Sequence, residues 1–342
     1  MKNKILFSIT KSEIGGAQKW ISNLVSVIDN ADFYLFTSGQ GWLSNKFSKS
    51  KVTYFPSLSK MNSVFLLFEM IRKIKEINPD VIVSNSANAG VYTRVAAFLC
   101  RKKSIYVSHG WSCIYQGKYF RGIYCLIETM LSKITDKIIC VSENDYFIAR
   151  NVLNIDESKL ELLPNSVPSS KPIYREKLRS ETIRGLFLSR LEFPKRVDLL
   201  YDLPLAELNV TIDVIGGGSY RDKYIPTTEI NYIGEVSDFS SFSDYDFFIL
   251  LSDSEGLPMS ALEAAEAGLP LFLSNVGGCK ELTLYGNGVL VNNISSEITQ
   301  QLREFLGDLD EYKKNSNRCR ENFQIETTLN RFNEVLLDVS FK

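Results

Sequence analysis

The chain has 342 residues, 44% hydrophobic and 23% charged, which is the balance of a globular protein with room for two domains. Its formal net charge is −1, yet residues 1–165 carry 21 Lys and Arg against 13 Asp and Glu, and the remainder 18 against 27. No apolar run approaches the ~18 residues of a membrane span, and the six scattered cysteines form no C-x-x-C pair, so spanning and disulfide-stapled secreted classes are set aside.

Met1–Lys4 is basic, but the apolar run Ile5–Ile9 is too short for a signal peptide and reads as a first buried strand, so a cytoplasmic protein is expected. Short Ile-, Val- and Phe-rich runs then alternate with amphipathic stretches. The first half predicts strands at Lys4–Ile9, Phe33–Thr37, Val52–Phe55, Val81–Ser84, Ser104–Ser108 and Lys137–Val141, with helices at Ala17–Ile28, Val64–Ile77 and Tyr119–Ile134. The pattern resets across Leu162–Pro172, where Pro164, Pro168 and Pro172 punctuate a Ser- and Asn-containing linker. Beyond it, strands are expected at Arg184–Ser189, Thr211–Ile215, Asn231–Ile233, Phe247–Leu251 and Pro270–Ser274, and helices at Val197–Leu203, Met259–Ala267, Ile298–Leu309 and Glu326–Asp338. Most strands are apolar on both faces, as in parallel sheets covered on both sides. The expectation is an α/β protein of two Rossmann-like doubly wound domains, 1–167 and 168–325, facing across a cleft where the carboxyl ends of the strands bind ligands.

Four motifs carry chemistry. In Ser254-Glu255-Gly256-Leu257-Pro258-Met259-Ser260-Ala261-Leu262-Glu263, a strand ends and a helix begins near Pro258. Backbone N–H groups of Leu257, Met259 and Ser260 are left at its amino end, where they and the helix dipole suit a diphosphate. Glu255 and Glu263 can reach hydroxyls on either side of that phosphate; the plainer reading is one capping and one solvated glutamate. In Ser189-Arg190-Leu191-Glu192-Phe193-Pro194-Lys195, two cations five residues apart can clamp a diphosphate, unless this is an exposed basic turn. Gly15-Gly16 follows the first strand and lets backbone approach a ligand; it is not the G-x-G-x-x-G fingerprint of a dehydrogenase. His109, the only histidine, sits at a strand's carboxyl end before Gly110, and is either structural or a site residue.

The E-x7-E spacing of Glu255 and Glu263 resembles the signature of retaining family-4 glycosyltransferases, which have the GT-B fold. The resemblance implies that Glu255 contacts the donor sugar and Glu263 the nucleotide ribose, with Arg190 and Lys195 on the diphosphate. It also implies that the Gly256, Leu257, Pro258, Met259 and Ser260 turn receives the phosphates, that Gly15 and Gly16 close over the donor, and that His109 lies against the transferred sugar. Ser189 and Arg196 stand where glycines are usual in the family. Val214–Gly218 and Ile233–Val236 are similar to its nucleotide-side loops, with Val236 a contact to the base, and Gly277-Gly278 matches the element after the next strand. The matches span residues 5–285 in order, and by the same resemblance a final helix in 326–342 packs back on the first domain.

The function so implied is a retaining transfer of a sugar from a nucleotide-diphosphate donor to a glycan or lipid-diphosphate-linked acceptor in surface polysaccharide assembly. No metal or other cofactor and no nucleic acid is expected. Asp244-Tyr245-Asp246 matches the D-x-D metal motif of another glycosyltransferase fold but reads here as a strand entry. The basic first half and the aromatic, cationic stretch Tyr115–Tyr124 suit an anionic membrane surface, or else an ordinary amphipathic helix start. A non-catalytic partner subunit and an epimerase-like enzyme remain the alternative readings.

Overall fold

The computed structural model describes residues 2–60, 63–115 (Tyr115 in backbone only), 120–170, 182–221, 223 and 225–337. The first sheet contains β1 (Asn3–Ser8), β2 (Ala31–Thr37), β3 (Val52–Tyr54), β4 (Val81–Ser84), β5 (Lys103–Ser108), β6 (Lys137–Cys140) and β7 (Leu160–Leu162). The second contains β8 (Ile183–Leu188), β9 (Val210–Ile215), β10 (Ile230–Gly234), β11 (Phe247–Leu250), β12 (Leu271–Ser274) and β13 (Gly288–Val291). The spatial orders are β3-β2-β1-β4-β5-β6-β7 and β10-β9-β8-β11-β12-β13, and neighbouring strands in both sheets pair in parallel. Parallel neighbours must be joined by crossovers, so each sheet is doubly wound, and the strand order reverses direction between β1 and β4 and between β8 and β11.

The strands are apolar because both faces are covered: every residue of β4, β11 and β12 is buried. In the first unit Trp20, 2% exposed, packs edge-on against Phe7, whose ring stacks on Phe33. Helix Leu329–Leu337 closes that core with Phe332, whose ring meets Trp20 at 6.0 Å. Asn3 Nδ2 donates to Leu337 O at 3.1 Å, Lys103 Nζ to Val335 O at 3.2 Å, and Arg331 pairs with Glu161 at 2.6 Å. Residues through Asn165 together with the stretch from Thr328 therefore form one unit, and Ser166–Thr327 the other.

Several local expectations needed revision. β7 and β13 were not predicted: Leu160–Leu162 is three residues long, and Gly288–Val291 is only partly buried along most of its length, so neither shows a strong apolar run. The Leu162–Pro172 linker begins within β7, and Leu163 and Asn165 still donate to Cys140 O and Val141 O of the first unit; Lys171 and Pro172 lie outside the described residues. Val197–Asp202 is a 3-10 helix instead of an α-helix, and Pro204 bars its continuation. The last helix starts at Leu329 instead of Glu326, after a 3-10 turn over Ile325–Thr327, and its expected end at Asp338 lies outside the described residues.

Candidate active site

In the second unit the loops after β8 and β11 emerge side by side where the strand order reverses. Arg196 N–H donates to Leu251 O, Asp253 N–H to Pro194 O, and Lys195 bridges to Ser252. This lacing brings Lys195 Nζ onto Glu255 Oε1, the two side chains being 13% and 8% exposed. Arg190 turns outward instead, 62% exposed and paired with Glu192 at 2.8 Å. The two cations of the motif therefore stand in different settings, one on a carboxylate withdrawn from water and one on a carboxylate in solvent.

Helix Met259–Glu266 starts directly after this loop, with Pro258 as its cap and no side-chain cap hydrogen bond. Among the described residues none accepts from the backbone N–H of Met259 or Ser260, while Leu262 N–H reaches Pro258 O at 3.1 Å. Two unpaired N–H groups at a helix amino end attract an anion. Glu263 is half-buried in the helix's second turn. Beneath the loop, Gly278 N–H donates to Gly256 O at 2.7 Å, and Gly277 has φ +54. A Cβ on Gly277 would stand 1.8 Å from Glu255 O, so glycine is required by space as well as by backbone conformation.

A polar network anchors the same loops from below. Ser252 N–H donates to Ser274 Oγ at 2.9 Å, and Ser274 Oγ donates to Asn293 Oδ1 at 2.6 Å. Asn293 Nδ2 reaches Ser252 O and Asp253, whose carboxylate also meets Arg196 at 3.1 Å. Arg196, the residue in place of a usual glycine, grips Asp198 as well, and these carboxylates raise its already high pKa. Sequence reasoning missed Ser252, Ser274 and Asn293; Asn293 follows β13, the strand that lacked an apolar run, so no signal marked it as a loop at the carboxyl end of the sheet.

On the other side of β8, Leu191 N–H donates to Gly217 O at 2.8 Å and Gly216 N–H to Gly234 O at 2.9 Å, which aligns three successive loops. Val236, 38% exposed, lies just beyond the third. Asp246 belongs to the opposite end of β11 from Glu255: its carboxylate takes Arg184 N–H at 2.9 Å and Lys313 Nζ at 2.9 Å, so this half of the D-x-D pair anchors the strand entry.

In the first unit the strand-order reversal gathers the ends of β1, β4 and β5. Thr10 N–H donates to Ser86 Oγ at 3.0 Å and Asn85 N–H to Ser8 O at 2.8 Å. His109 Nε2 lies 3.2 Å from Asn85 Oδ1, its ring edge-on to Trp20 at 5.5 Å, and burial lowers its pKa to about 3. Gly110, at φ +98, donates its N–H to Asp145 at 3.0 Å. Gly15 caps helix Gly16–Val27 in extended backbone with no side-chain cap, so this amino end too is open. The geometry thus brings together Lys195, Glu255 and the Pro258–Ser260 turn in one unit, and His109 and the Gly15–Gly16 turn at the strand ends of the other. Of the Tyr115–Tyr124 stretch, Gln116–Tyr119 lie outside the described residues; Phe120, Ile123 and Tyr124 are exposed.

Comparison with known proteins bears on both units. Residues 14–171 match the family described as Glycosyltransferase Family 4, and residues 183–308 the family described as Glycosyl transferases group 1. The O-antigen biosynthesis glycosyltransferase WbnH of Escherichia coli is 39% identical over 98% of this chain and 100% of its own length. An E. coli UDP-Gal:alpha-D-GlcNAc-diphosphoundecaprenol alpha-1,3-galactosyltransferase is 26% identical over 65% of this chain and 63% of its length. Among solved structures, Anabaena HepE in complex with UDP and glucose superposes with a TM-score of 0.81 at 19% identity, covering 98% of this chain and 100% of that one.

Proposed function

The chain belongs to glycosyltransferase family 4 and has the GT-B fold, and from that premise we propose that it is a retaining hexosyltransferase of surface polysaccharide assembly, using a nucleotide-diphosphate sugar and a lipid-diphosphate-linked glycan acceptor. The observation that carries the donor half is the Lys195–Glu255 contact beside the two unpaired N–H groups of Met259 and Ser260. A cation and a helix amino end together suit a diphosphate, and a carboxylate at the same spot suits sugar hydroxyls. The O-antigen relative at 39% identity and the galactosyltransferase named for a diphosphoundecaprenol acceptor support the pathway and the acceptor class; the UDP and glucose complex supports the donor class.

In the proposed reaction the bond between the anomeric carbon and the β-phosphate oxygen breaks, and its electron pair leaves with the diphosphate. Lys195, Arg190 and the N–H groups of Leu257, Met259 and Ser260 take up that charge, a role that asks for no metal. Glu255 and His109 hold the sugar, Glu263 holds the ribose, Val236 flanks the base, and the Gly15–Gly16 turn covers the phosphates. The acceptor hydroxyl bonds to the anomeric carbon from the face the diphosphate leaves, and its proton passes to a phosphate oxygen, which keeps the anomeric configuration.

An anionic membrane face fits the acceptor. Helix Arg121–Lys133 exposes Ile123, Leu126 and Met130 between its terminal cations, and helix Val64–Ile77 exposes Phe65 and Phe68. No helix among the described residues is long and apolar enough to cross a membrane. Purified protein incubated with UDP-glucose, UDP-galactose and their N-acetyl forms, with an undecaprenyl-diphosphate glycan as acceptor, tests the proposal. Transfer with the donor's anomeric configuration preserved in the product is expected. Failure of every donor to be consumed or to raise the melting temperature would sink it.

A further inference from the structure

We propose that Asn85 is a positioning residue that locks His109 as its Nε2–H tautomer, leaving Nδ1 a hydrogen-bond acceptor for a hydroxyl of the transferred sugar. The last clause rests on the function proposed above; the tautomer itself rests on the Asn85 contact and on the neutrality of the ring.

The argument begins at Val83. Asn85 Nδ2 lies 3.2 Å from Val83 O, a carbonyl that can only accept. Turning the amide over would set two oxygens against each other, so the nitrogen belongs on that side and Oδ1 on the other. Oδ1 faces His109 Nε2 at 3.2 Å, and an amide oxygen donates nothing. Nε2 must therefore carry the hydrogen. Asn85 is 2% exposed, so water offers no competing partner, and its own N–H is fixed to Ser8 O at the end of β1.

The ring cannot turn away from this contact. Trp20 meets it edge-on with an interplanar angle of 78° and is itself wedged between Phe7 and Phe332. The segment that follows is pinned twice to Asp145: backbone Gly110 N–H donates to its carboxylate at 3.0 Å and the Trp111 side chain donates through Nε1 to its carbonyl at 2.9 Å. Among the described residues nothing hydrogen-bonds Nδ1. Burial keeps the ring neutral, and a neutral imidazole with Nε2 protonated has only a lone pair at Nδ1.

An asparagine here has an advantage over a carboxylate. Aspartate would orient the ring as well, but its charge would raise the histidine pKa and favour imidazolium. A cation beside a sugar that gains positive charge as its leaving group departs would raise the barrier. Asn85 supplies orientation without that charge.

Because the chain has a single histidine, ¹⁵N-histidine labelling gives one set of ring signals. At pH 7 the wild-type protein is expected to show a pyrrole-like Nε2 and a pyridine-like Nδ1. Asn85→Ala, with its fold checked by circular dichroism, is expected to show exchange-averaged ring nitrogens and a kcat lower by roughly tenfold or more, with donor KM little changed. An Nδ1–H tautomer in the wild type overturns the proposal. So does an Asn85→Ala protein whose ring spectrum stays at Nε2–H. The spectrum is read without substrate, so the expected ring signals uphold the lock even where no transfer is seen, and that silence counts against the transferase reading alone.

Discussion

Lys195 Nζ donates to Glu255 Oε1 across 60 residues of sequence, and the two groups assigned to opposite ends of the donor's reacting bond thereby stabilise each other. Both side chains are largely withdrawn from water, at 13% and 8% exposure, so neither charge has bulk solvent to fall back on. Removing one partner of such a pair strands the other.

A double-mutant cycle on this pair is therefore expected to be non-additive. Lys195→Ala should destabilise the protein by about 3 kcal/mol, whereas Lys195→Ala with Glu255→Ala should lose clearly less than the sum of the single changes. Urea unfolding of the four proteins reads the coupling; additivity within about 0.5 kcal/mol would show that the pair is energetically idle. In the transfer assay Glu255→Ala should be inactive.

Glu263 lies a helical turn and more beyond Glu255 and is half-buried. Glu263→Ala should raise donor KM by about tenfold while kcat stays near wild type, the pattern of lost ground-state binding. A fall in kcat at unchanged KM would move Glu263 from nucleotide recognition to the reacting centre.

Gly277→Ala inserts a Cβ 1.8 Å from Glu255 O at a backbone position of φ +54. The Glu255 loop must shift, and a loss of about 2 kcal/mol or more with at least a tenfold fall in transfer is expected. Gly39→Ala is the control, because its Cβ would meet nothing within 4 Å. Equal melting temperatures for the two variants would contradict the packing described.

The neutral His109 ring has a consequence for acid stability. Its pKa is lowered to about 3 from 6.5, so below pH 6.5 the unfolded chain binds a proton that the folded chain refuses. The stability this ring contributes is complete above pH 6.5 and falls progressively toward pH 3, with a slope of at most about 1.4 kcal/mol per pH unit. Between pH 7 and 5.5, ahead of most carboxylate titration, His109→Gln should flatten the stability profile. Identical slopes for variant and wild type would show that the ring titrates freely.

Much of this architecture was legible in local sequence. Apolar runs such as Phe247–Leu250 announced buried parallel strands, and Pro258 after Glu255 announced where a helix begins. The same reading missed β7 and β13, whose residues are few or only partly buried, and gave Val197–Leu203 a full α-helix where the structure has a 3-10 helix ending before Pro204. Arg190 and Lys195 looked alike as two cations of one motif, yet one pairs with Glu255 and the other with Glu192 in solvent.

The amino-acid sequence by itself determined the elements and their order, because burial on both faces, proline geometry and helix starts are properties of a few adjacent residues. Only the tertiary structure decided which loops meet. Asn85 reaches His109, and Asn293 reaches Asp253, because crossovers return parallel strands side by side in the spatial order of each sheet, so loops 24 and 40 residues apart in sequence leave the same end of it. No local window holds that order, so residues such as Asn85 and Asn293 carry no mark of their partners until the sheets are assembled.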